Sequence, residues 1–139
     1  MGKELEEITS LEITLRPIGV IRSPITEPGQ APKQGSEAAI RGQLVLEERY
    51  LEGLMGVKEG ARLLILYWMH LARRDVLQVH PRGDLERPML GVFTTRSPHR
   101  PNPVSIEVVE VTGVRGNVID VVGLDAVDGT PLLDIKSSE

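Results

Sequence analysis

The sequence predicts a mainly β protein: a small barrel or sandwich with long loops and one or two short helices. Three observations predict it: short β-branched runs bounded by Pro- and Gly-rich turns, only one weak amphipathic helical segment, and no internal repeat. No GxGxxG follows a strand and no GxxxxGK[ST] occurs, so neither a Rossmann cofactor site nor a P-loop is indicated.

The first half of the chain combines strands with one long loop. ITLRPIGVIRS (residues 13–23) is β-branched and apolar and is expected to form a strand that begins or bends at Pro17. PITEPGQAPKQGSE (24–37) has three prolines, two glycines and no periodicity, which predicts a loop. IRGQLVLEE (40–48) alternates like a strand, and YLEGLMGVK (50–58) is typical of a short helix or turn.

The second half is expected to hold the buried strand and a hairpin. ARLLILYWMH (61–70) is apolar throughout, like a strand buried on both faces, and residues 71–89 form a polar loop. GVFTT then opens a further strand. Residues 104–112 and 117–124 are expected to pair as a hairpin that turns at 113–116, and LLDIK forms the last strand after an Asp-Gly-Thr turn.

Length and composition are those of one domain. The 139 residues divide into a flexible acidic N-terminus (1–12), a β domain (13–136) and a short tail (137–139). No apolar run reaches the roughly 18 residues of a membrane span, and the N-terminus is acidic where a signal peptide is basic. The chain has no cysteine. We therefore expect a cytoplasmic protein with no membrane span, disulfide or zinc–thiolate site.

The net charge of −4 conceals a basic segment. Residues 70–100 contain six arginines, three acidic residues and all three histidines of the chain. Local charge decides whether an anion can bind, so this segment is the candidate anion-binding surface. Its arginines outside the proline-rich stretch are Arg73, Arg74, Arg82 and Arg87.

A stiff basic loop begins near the end of that segment. In RSPHRPNP (residues 96–103) three prolines restrict the backbone while Arg96, His99 and Arg100 carry the functional groups. A guanidinium on a rigid backbone loses less entropy when it binds a carboxylate or phosphate. An anionic or zwitterionic ligand and a plain pair of solvated arginines are both compatible with this pattern.

Two other site classes receive less support. A metal site would draw on His70, His80 and His99 with Asp125, Asp128 and Asp134, but no histidine pair has ligand spacing. A Ser/His/Asp hydrolase would need a nucleophile elbow, and GxSxG is absent. Asp125 and Asp128 also suit a purely structural role in the turn they flank. We expect no metal.

Four blocks of sequence carry a resemblance to a known family. They are PIGVIRSP (17–24), PKQG (32–35), GVFTTRSPHRPNPVS (91–105) and LDAVDGTPLLDIK (124–136), and they resemble the TrmO/TsaA-like family over about residues 15–136. The prototype of that family methylates threonylcarbamoyl-modified adenosine in tRNA with S-adenosylmethionine. The resemblance implies a small β-barrel methyltransferase, not of the Rossmann type, that works as a homodimer.

The resemblance also implies a site. Its cofactor contacts, transferred to matching positions, are Gln34, Gly35, Ser36, His70, Leu71, Arg96, Ile106, Gly123, Leu124 and Asp125. The implied reaction moves a methyl group to N6 of threonylcarbamoyladenosine next to the anticodon. The threonyl carboxylate needs a cation, for which we nominate Arg100, and the Asn102 amide is able to donate to either ligand. His70 and Asp125 are the candidate proton acceptors.

The chain departs from the family pattern in three places. Ser105 stands where RPNPIG has glycine, the ending is DIKSSE where relatives have DIKPY, and the PRQ-type motif has become Pro32-Lys33-Gln34. Two other functions stay open at this point. One is a non-catalytic β-barrel module that binds RNA or an adenosine compound, and the other is a metal-dependent hydrolase.

Overall fold

A computed structural model describes residues 1–28 and 39–138. Over these residues, six antiparallel strands close into a barrel in the order β1-β2-β7-β6-β3-β8, and β4 pairs with β5 outside it. The strands are β1 (Gly19–Arg22), β2 (Arg41–Leu46), β3 (Arg62–Trp68), β4 (Gln78–Val79), β5 (Leu90–Gly91), β6 (Val104–Arg115), β7 (Val118–Val122) and β8 (Thr130–Ser137). The predicted mainly β, non-Rossmann barrel is confirmed.

The barrel interior follows from the period of two along each strand. Leu63, Ile65 and Tyr67 of β3 are buried, while the residues between them are only partly covered. Val109 and Val111 of β6 face the same interior. Burial of one such aliphatic side chain contributes about 1.5–3 kcal/mol, so these strands hold the fold together.

The first strand is shorter than predicted for a reason present in the sequence. Only Gly19–Arg22 forms β1, although the Ile18 N–H still donates to Leu132 at 2.8 Å. Pro17 has no N–H to continue the ladder, so the pairing stops there. The α-helix α1 (Gly2–Thr9) occupies most of the expected flexible N-terminus and has no buried residue. Whether that segment is flexible stays a prediction.

The hairpin turn lies further along than predicted. β6 continues through Gly113, where the register shifts, and Arg115 pairs with Val118. The turn is therefore made by Gly116 and Asn117, and Gly116 has the positive φ of 59° that glycine adopts without cost. The expectation of a turn at 113–116 was wrong because Thr112 is the extra residue of a bulge, after which Gly113 pairs with Asp120 and the strand continues.

The strand expected from residue 91 onward is also wrong. β5 ends at Gly91, and Val92–Thr94 form a 3-10 helix. Threonine hydroxyls favour this turn, since Thr94 Oγ1 donates to the Gly91 carbonyl and Thr95 Oγ1 to the Val92 carbonyl. The short helix expected near residue 50 is a 3-10 helix, Glu48–Leu54.

Several segments with unusual sequences meet at one end of the barrel. β3 ends there opposite the start of β6, with Trp68 paired to Val104, and Tyr67 pairs with Leu132 near the start of β8. The proline-rich stretch and the Leu-Asp turn after β7 meet at the same end. No helix in the described ranges is long and apolar enough to cross a membrane.

Candidate functional site

A pocket of about 250 Å³ opens at this end of the barrel. The volume is close to the lower end of the range for small-molecule sites. Its walls mix apolar and ionisable side chains from β3, the loop after it, the proline-rich loop, β6 and the turn after β7. They include Tyr67, Met69, His70, Leu71, Arg96, His99, Ser105, Asp125 and Ala126.

An arginine and an aspartate, of opposite charge, line the same pocket. Arg96 and His70 are exposed, and within the described part of the chain the Arg96 guanidinium has no hydrogen bond or ion pair. Asp125 lies on another wall and is backed by the carboxyl of Glu107. A zwitterion, with a cation at one end and a carboxylate at the other, complements this arrangement.

The proline-rich loop is held by hydrogen bonds at each step. The Ser97 N–H donates to Thr95 Oγ1 at 3.2 Å, and the His99 N–H donates to Ser97 Oγ at 3.3 Å. Arg73 joins the loop to the segment after β3, because its N–H donates to His99 Nδ1 at 3.0 Å and its carbonyl accepts from the Arg100 N–H at 3.0 Å. The neutral His99 ring therefore carries its proton on Nε2, and these bonds tie the loop to the segment after β3. Rigidity of the loop stays a prediction.

Arg100 is directed towards the backbone of the neighbouring 3-10 helix. Its Nη2 donates to the carbonyls of Val92 and Thr95, the latter at 2.9 Å. Its Nε is buried without a partner. The guanidinium thus fixes the start of the loop, and a carboxylate would have to be bound by its remaining N–H groups. Binding of the substrate carboxylate by Arg100 stays a prediction.

Asn102 lies on the outer side of the same loop. Its Oδ1 accepts from Arg74 Nη2 at 2.9 Å, and Arg74 Nε donates to the Pro101 carbonyl at 2.6 Å. The Arg74 guanidinium also stacks 5.2 Å from the centre of the Trp68 ring. Arg74 therefore clamps the proline-rich loop to the end of β3. The Asn102 amide nitrogen has no hydrogen bond within the described part of the chain.

The turn after β7 presents Asp125 to the pocket. Gly123, with φ of 107°, and Leu124 both donate their N–H to the Ile40 carbonyl, at 2.9 and 3.1 Å. Leu124 is buried, and the next N–H, that of Asp125, donates to Glu107 Oε1 at 2.9 Å. These contacts fix the turn from below while the Asp125 side chain stays exposed.

Burial and a nearby charge change the acidity of this end of the barrel. Burial, and then the charge of Asp125, raises the pKa of Glu107 to about 8. Partial burial also raises the pKa of Asp125, and burial followed by the Glu107 charge raises that of Tyr67. These shifts favour the protonated form of Glu107 at neutral pH.

The residues predicted from the family resemblance fall into three groups. His70, Leu71, Arg96 and Asp125 line the one pocket. Gly123 and Leu124 support the Asp125 turn, whereas Ile106 is 45% exposed on the outer face of β6. Gln34, Gly35 and Ser36 lie outside the described residues. Which of these residues contact a cofactor stays a prediction.

Glu107 is the site residue that the sequence analysis missed. A signal was available, since strict alternation in VSIEVVEV assigns it to the same face as Val109 and Val111. A carboxyl in an interior row is unusual unless it has a partner or a function. Treating the segment as one half of a hairpin hid that exception.

Asp128, the other acidic residue of this turn, has structural partners. It accepts from the Ser23 N–H at 3.1 Å and pairs with Arg22 at 3.5 Å. Within residues 1–28 and 39–138 no three His, Asp or Glu side chains are grouped as for a metal ion.

Two larger grooves lie outside the pocket. One of about 880 Å³ lies at the opposite barrel end, and no predicted site residue lines it. Another of about 590 Å³ is lined by Trp68, Arg74 and Asn102, so Asn102 borders that groove and is not among the lining residues of the pocket.

Comparison with known proteins relates this geometry to a family. The tRNA-methyltransferase O N-terminal domain matches residues 20–138. A probable S-adenosyl-L-methionine-binding protein of Methanothermobacter thermautotrophicus is 43% identical over 129 residues, which are 93% of this chain and 92% of that protein. An S-adenosyl-L-methionine-binding protein of Archaeoglobus fulgidus is 43% identical over 122 residues, 88% of this chain and 86% of the relative.

Solved TrmO structures superpose on this chain. The crystal structure of TrmO from Pseudomonas aeruginosa superposes with a TM-score of 0.74 at 32% identity, over 93% of this chain but 57% of that one. Another TrmO crystal structure gives a TM-score of 0.75 at 34% identity, over 56% of its chain. The chain thus spans little more than half the length of these two TrmO chains, and most of the length of the two archaeal relatives. With its barrel, its proline-rich loop and its Leu-Asp turn, it belongs to the family of the tRNA-methyltransferase O N-terminal domain.

Proposed function

We propose that the chain is an S-adenosylmethionine-dependent tRNA methyltransferase that acts on N6 of threonylcarbamoyladenosine next to the anticodon. One observation carries the proposal: His70, Leu71, Arg96 and Asp125, separated in sequence, line a single pocket. Two archaeal relatives of nearly equal length are named for S-adenosylmethionine binding, and the solved relatives are named TrmO. A cytoplasmic location follows from a tRNA substrate and is part of the proposal.

The residues of the pocket fit S-adenosylmethionine. That molecule has an ammonium, a sulfonium and a carboxylate, so it needs opposite charges a short distance apart. The Asp125 carboxylate suits the cationic groups, and the unpaired Arg96 guanidinium suits the carboxylate. Met69, Leu71 and Ala126 add apolar wall for the uncharged part.

The chain's own contribution to methyl transfer is alignment. The bound cofactor supplies a methyl group on a positively charged sulfur, which is already electrophilic. The proline-rich loop, fixed by Arg73, Arg74 and Arg100, holds its side chains still. Rigidity matters because a misplacement of about 1 Å can cost on the order of a hundredfold in rate.

The acceptor side needs a base and an anion contact. The N6 nitrogen must lose its proton during transfer, and His70 and Asp125, both on the pocket wall, are the candidate acceptors. Arg100 is the candidate contact for the threonyl carboxylate through the N–H groups not used by the backbone. The free Asn102 amide N–H is able to donate to the substrate.

The basic segment around the pocket is the candidate tRNA surface. Arg73 pairs with Asp75 at 2.8 Å and Arg87 with Asp84 at 3.6 Å, and Arg74 holds the proline-rich loop. Arg82 has no ion pair in the described part of the chain and is exposed. Exposed pairs are weak and exchange readily for phosphate, so Arg73, Arg82 and Arg87 remain available to a polyanion, whereas Arg74 would contact phosphate only through N–H groups that the loop does not use.

The direct test is methyl transfer from labelled S-adenosylmethionine to tRNA that carries or lacks the threonylcarbamoyl group. We expect label only on the modified tRNA. Binding of S-adenosylmethionine without transfer to either tRNA would favour the non-catalytic adenosine-binding module. Transfer that requires a divalent metal, or no cofactor binding at all, would contradict the proposal.

We also propose that the chain works as a homodimer. The outer face formed by β3 and β6 is apolar, with Leu64 opposite Val108 and Leu66 opposite Ile106. Ile106 and Val108 are 45% and 41% exposed in the single chain. A second copy on this face would cover them. It would also bring the Ile106 of each copy next to another subunit, where a contact with that subunit's cofactor becomes feasible.

Sedimentation equilibrium tests the dimer. We expect a dimer for the wild-type chain and a monomer for Ile106→Glu, because a charge on an apolar interface costs several kcal/mol. The matched control is Leu77→Glu, at a residue that is 62% exposed on the loop after β3. A wild-type monomer, or equal dissociation by both substitutions, would contradict this interface.

A further inference from the structure

Glu107 occupies a position that the proposed reaction has not yet used. It lies on the interior row of β6 between Ser105, which lines the pocket, and the buried Val109. Its neighbour on β3 is Ile65, which is fully buried and has no polar atom in its side chain. A carboxyl here is costly to bury unless something at the site compensates for it.

The compensation comes from the turn that carries Asp125. Glu107 Oε1 accepts the Asp125 N–H at 2.9 Å, so the two carboxyl groups are linked through one backbone amide. Among described residues, the titratable groups that act on Glu107 are Asp125 of the turn after β7 and Tyr67 of β3. The Arg96 guanidinium and the imidazoles of His70 and His99 line the neighbouring pocket.

The charge of Asp125 opposes ionisation of Glu107, so this site favours either a proton on Glu107 or a bound cation. When no cation is bound, burial and the negative charge of Asp125 oppose ionisation of Glu107 and raise its pKa to about 8. A cation bound over Asp125 offsets both effects. Glu107 then releases its proton, and its negative charge adds to the attraction for that cation.

We propose that Glu107 is a positioning residue that fixes the Asp125 turn. By ionising when a cation binds beside Asp125, Glu107 also makes the pocket prefer S-adenosylmethionine to its product S-adenosylhomocysteine, whose sulfur carries no charge. This rests on the proposed function and adds to it a reason for product release. After transfer the sulfur is neutral, so Glu107 regains its proton and the product is held less tightly.

The test is isothermal titration of the ligand-free chain with S-adenosylmethionine and with S-adenosylhomocysteine, at pH 7, in buffers of different ionisation enthalpy. The buffer dependence gives the number of protons released per ligand bound. For the wild type we expect up to about one more proton released with S-adenosylmethionine than with its product, and about tenfold tighter binding of the former.

The decisive variant is Glu107→Gln, whose amide oxygen still accepts the Asp125 N–H but cannot ionise. We expect it to keep the affinity for S-adenosylhomocysteine, lose the extra proton and lose most of the preference. The amino group of the ligand titrates identically with both proteins, so it cancels in the comparison. An unchanged proton count and preference in Glu107→Gln would overturn the inference while leaving the methyltransferase proposal intact.

A ligand-free measurement separates the two proposals further. Because the pKa of Glu107 is raised on folding, its contribution to stability is present at low pH and is lost as pH rises towards and through 8. The wild type should therefore lose melting temperature relative to Glu107→Gln between pH 5 and pH 9. Equal pH dependence of the two proteins would contradict a protonated Glu107. Absence of binding by either ligand to the wild type would instead refute the proposed function and this inference with it.

Discussion

Replacing Arg100 by alanine is expected to lower the free energy of unfolding by about 1–3 kcal/mol and to weaken cofactor binding as well. Arg100 Nη2 donates to the carbonyls of Val92 and Thr95. The Val92 carbonyl would keep two other donors, the N–H and the Oγ1 of Thr95, whereas the Thr95 carbonyl would lose the donor it has among the described residues. The proline-rich loop would then lose its anchor at residue 95, so S-adenosylmethionine and the modified tRNA should both bind less tightly.

Urea unfolding monitored by Trp68 fluorescence, combined with cofactor titration, measures both effects. Arg96→Ala is the matched control for stability, because Arg96 lies on the same loop but is exposed and makes no hydrogen bond or ion pair in the described part of the chain. Its unfolding energy should change by less than about 0.5 kcal/mol. If Arg100→Ala kept its stability and cofactor affinity and lost only the recognition of modified tRNA, Arg100 would serve the substrate carboxylate without anchoring the loop.

The barrel could be predicted because its strands have strong local patterns. β3 is a continuous apolar run, and β6 and β7 alternate with an interior row such as Val109, Val111 and Ile119. These patterns report burial, which is a property of the whole sheet. The exact turns could not be predicted, since Gly113 and Gly116 look alike in sequence, and only pairing of Arg115 with Val118 selects the second.

The site could be predicted less completely than the barrel. The family motifs identified residues that meet in one pocket, such as His70, Arg96 and Asp125. They gave no information on what each side chain contacts. Arg96 and Arg100 are equivalent in the sequence, yet one faces the pocket and the other hydrogen-bonds to backbone carbonyls. That difference depends on the path of the loop, which the 3-10 helix Val92–Thr94 sets.

Arg96→Ala is expected to weaken binding of S-adenosylmethionine by about 10–100-fold with little change in stability. A hydrogen bond between charged groups contributes about 1.5–3 kcal/mol, and every 1.4 kcal/mol is a factor of ten in affinity. Arg96 is the cation on the pocket wall with no competing carboxylate within the described residues, so nothing in the pocket replaces it. At saturating cofactor the rate of methyl transfer should recover most of its wild-type value.

Arg96→Lys separates charge from geometry in the same experiment. Lysine keeps the charge but cannot bind a carboxylate through two parallel N–H groups, so its affinity should fall between those of wild type and Arg96→Ala. Titration calorimetry of the three proteins, with unfolding energies as the control, measures the series. Equal affinities of the three proteins would mean that Arg96 does not contact the cofactor. A loss of rate that high cofactor concentration does not restore would assign Arg96 to the transfer step, since it would then act after the cofactor is bound.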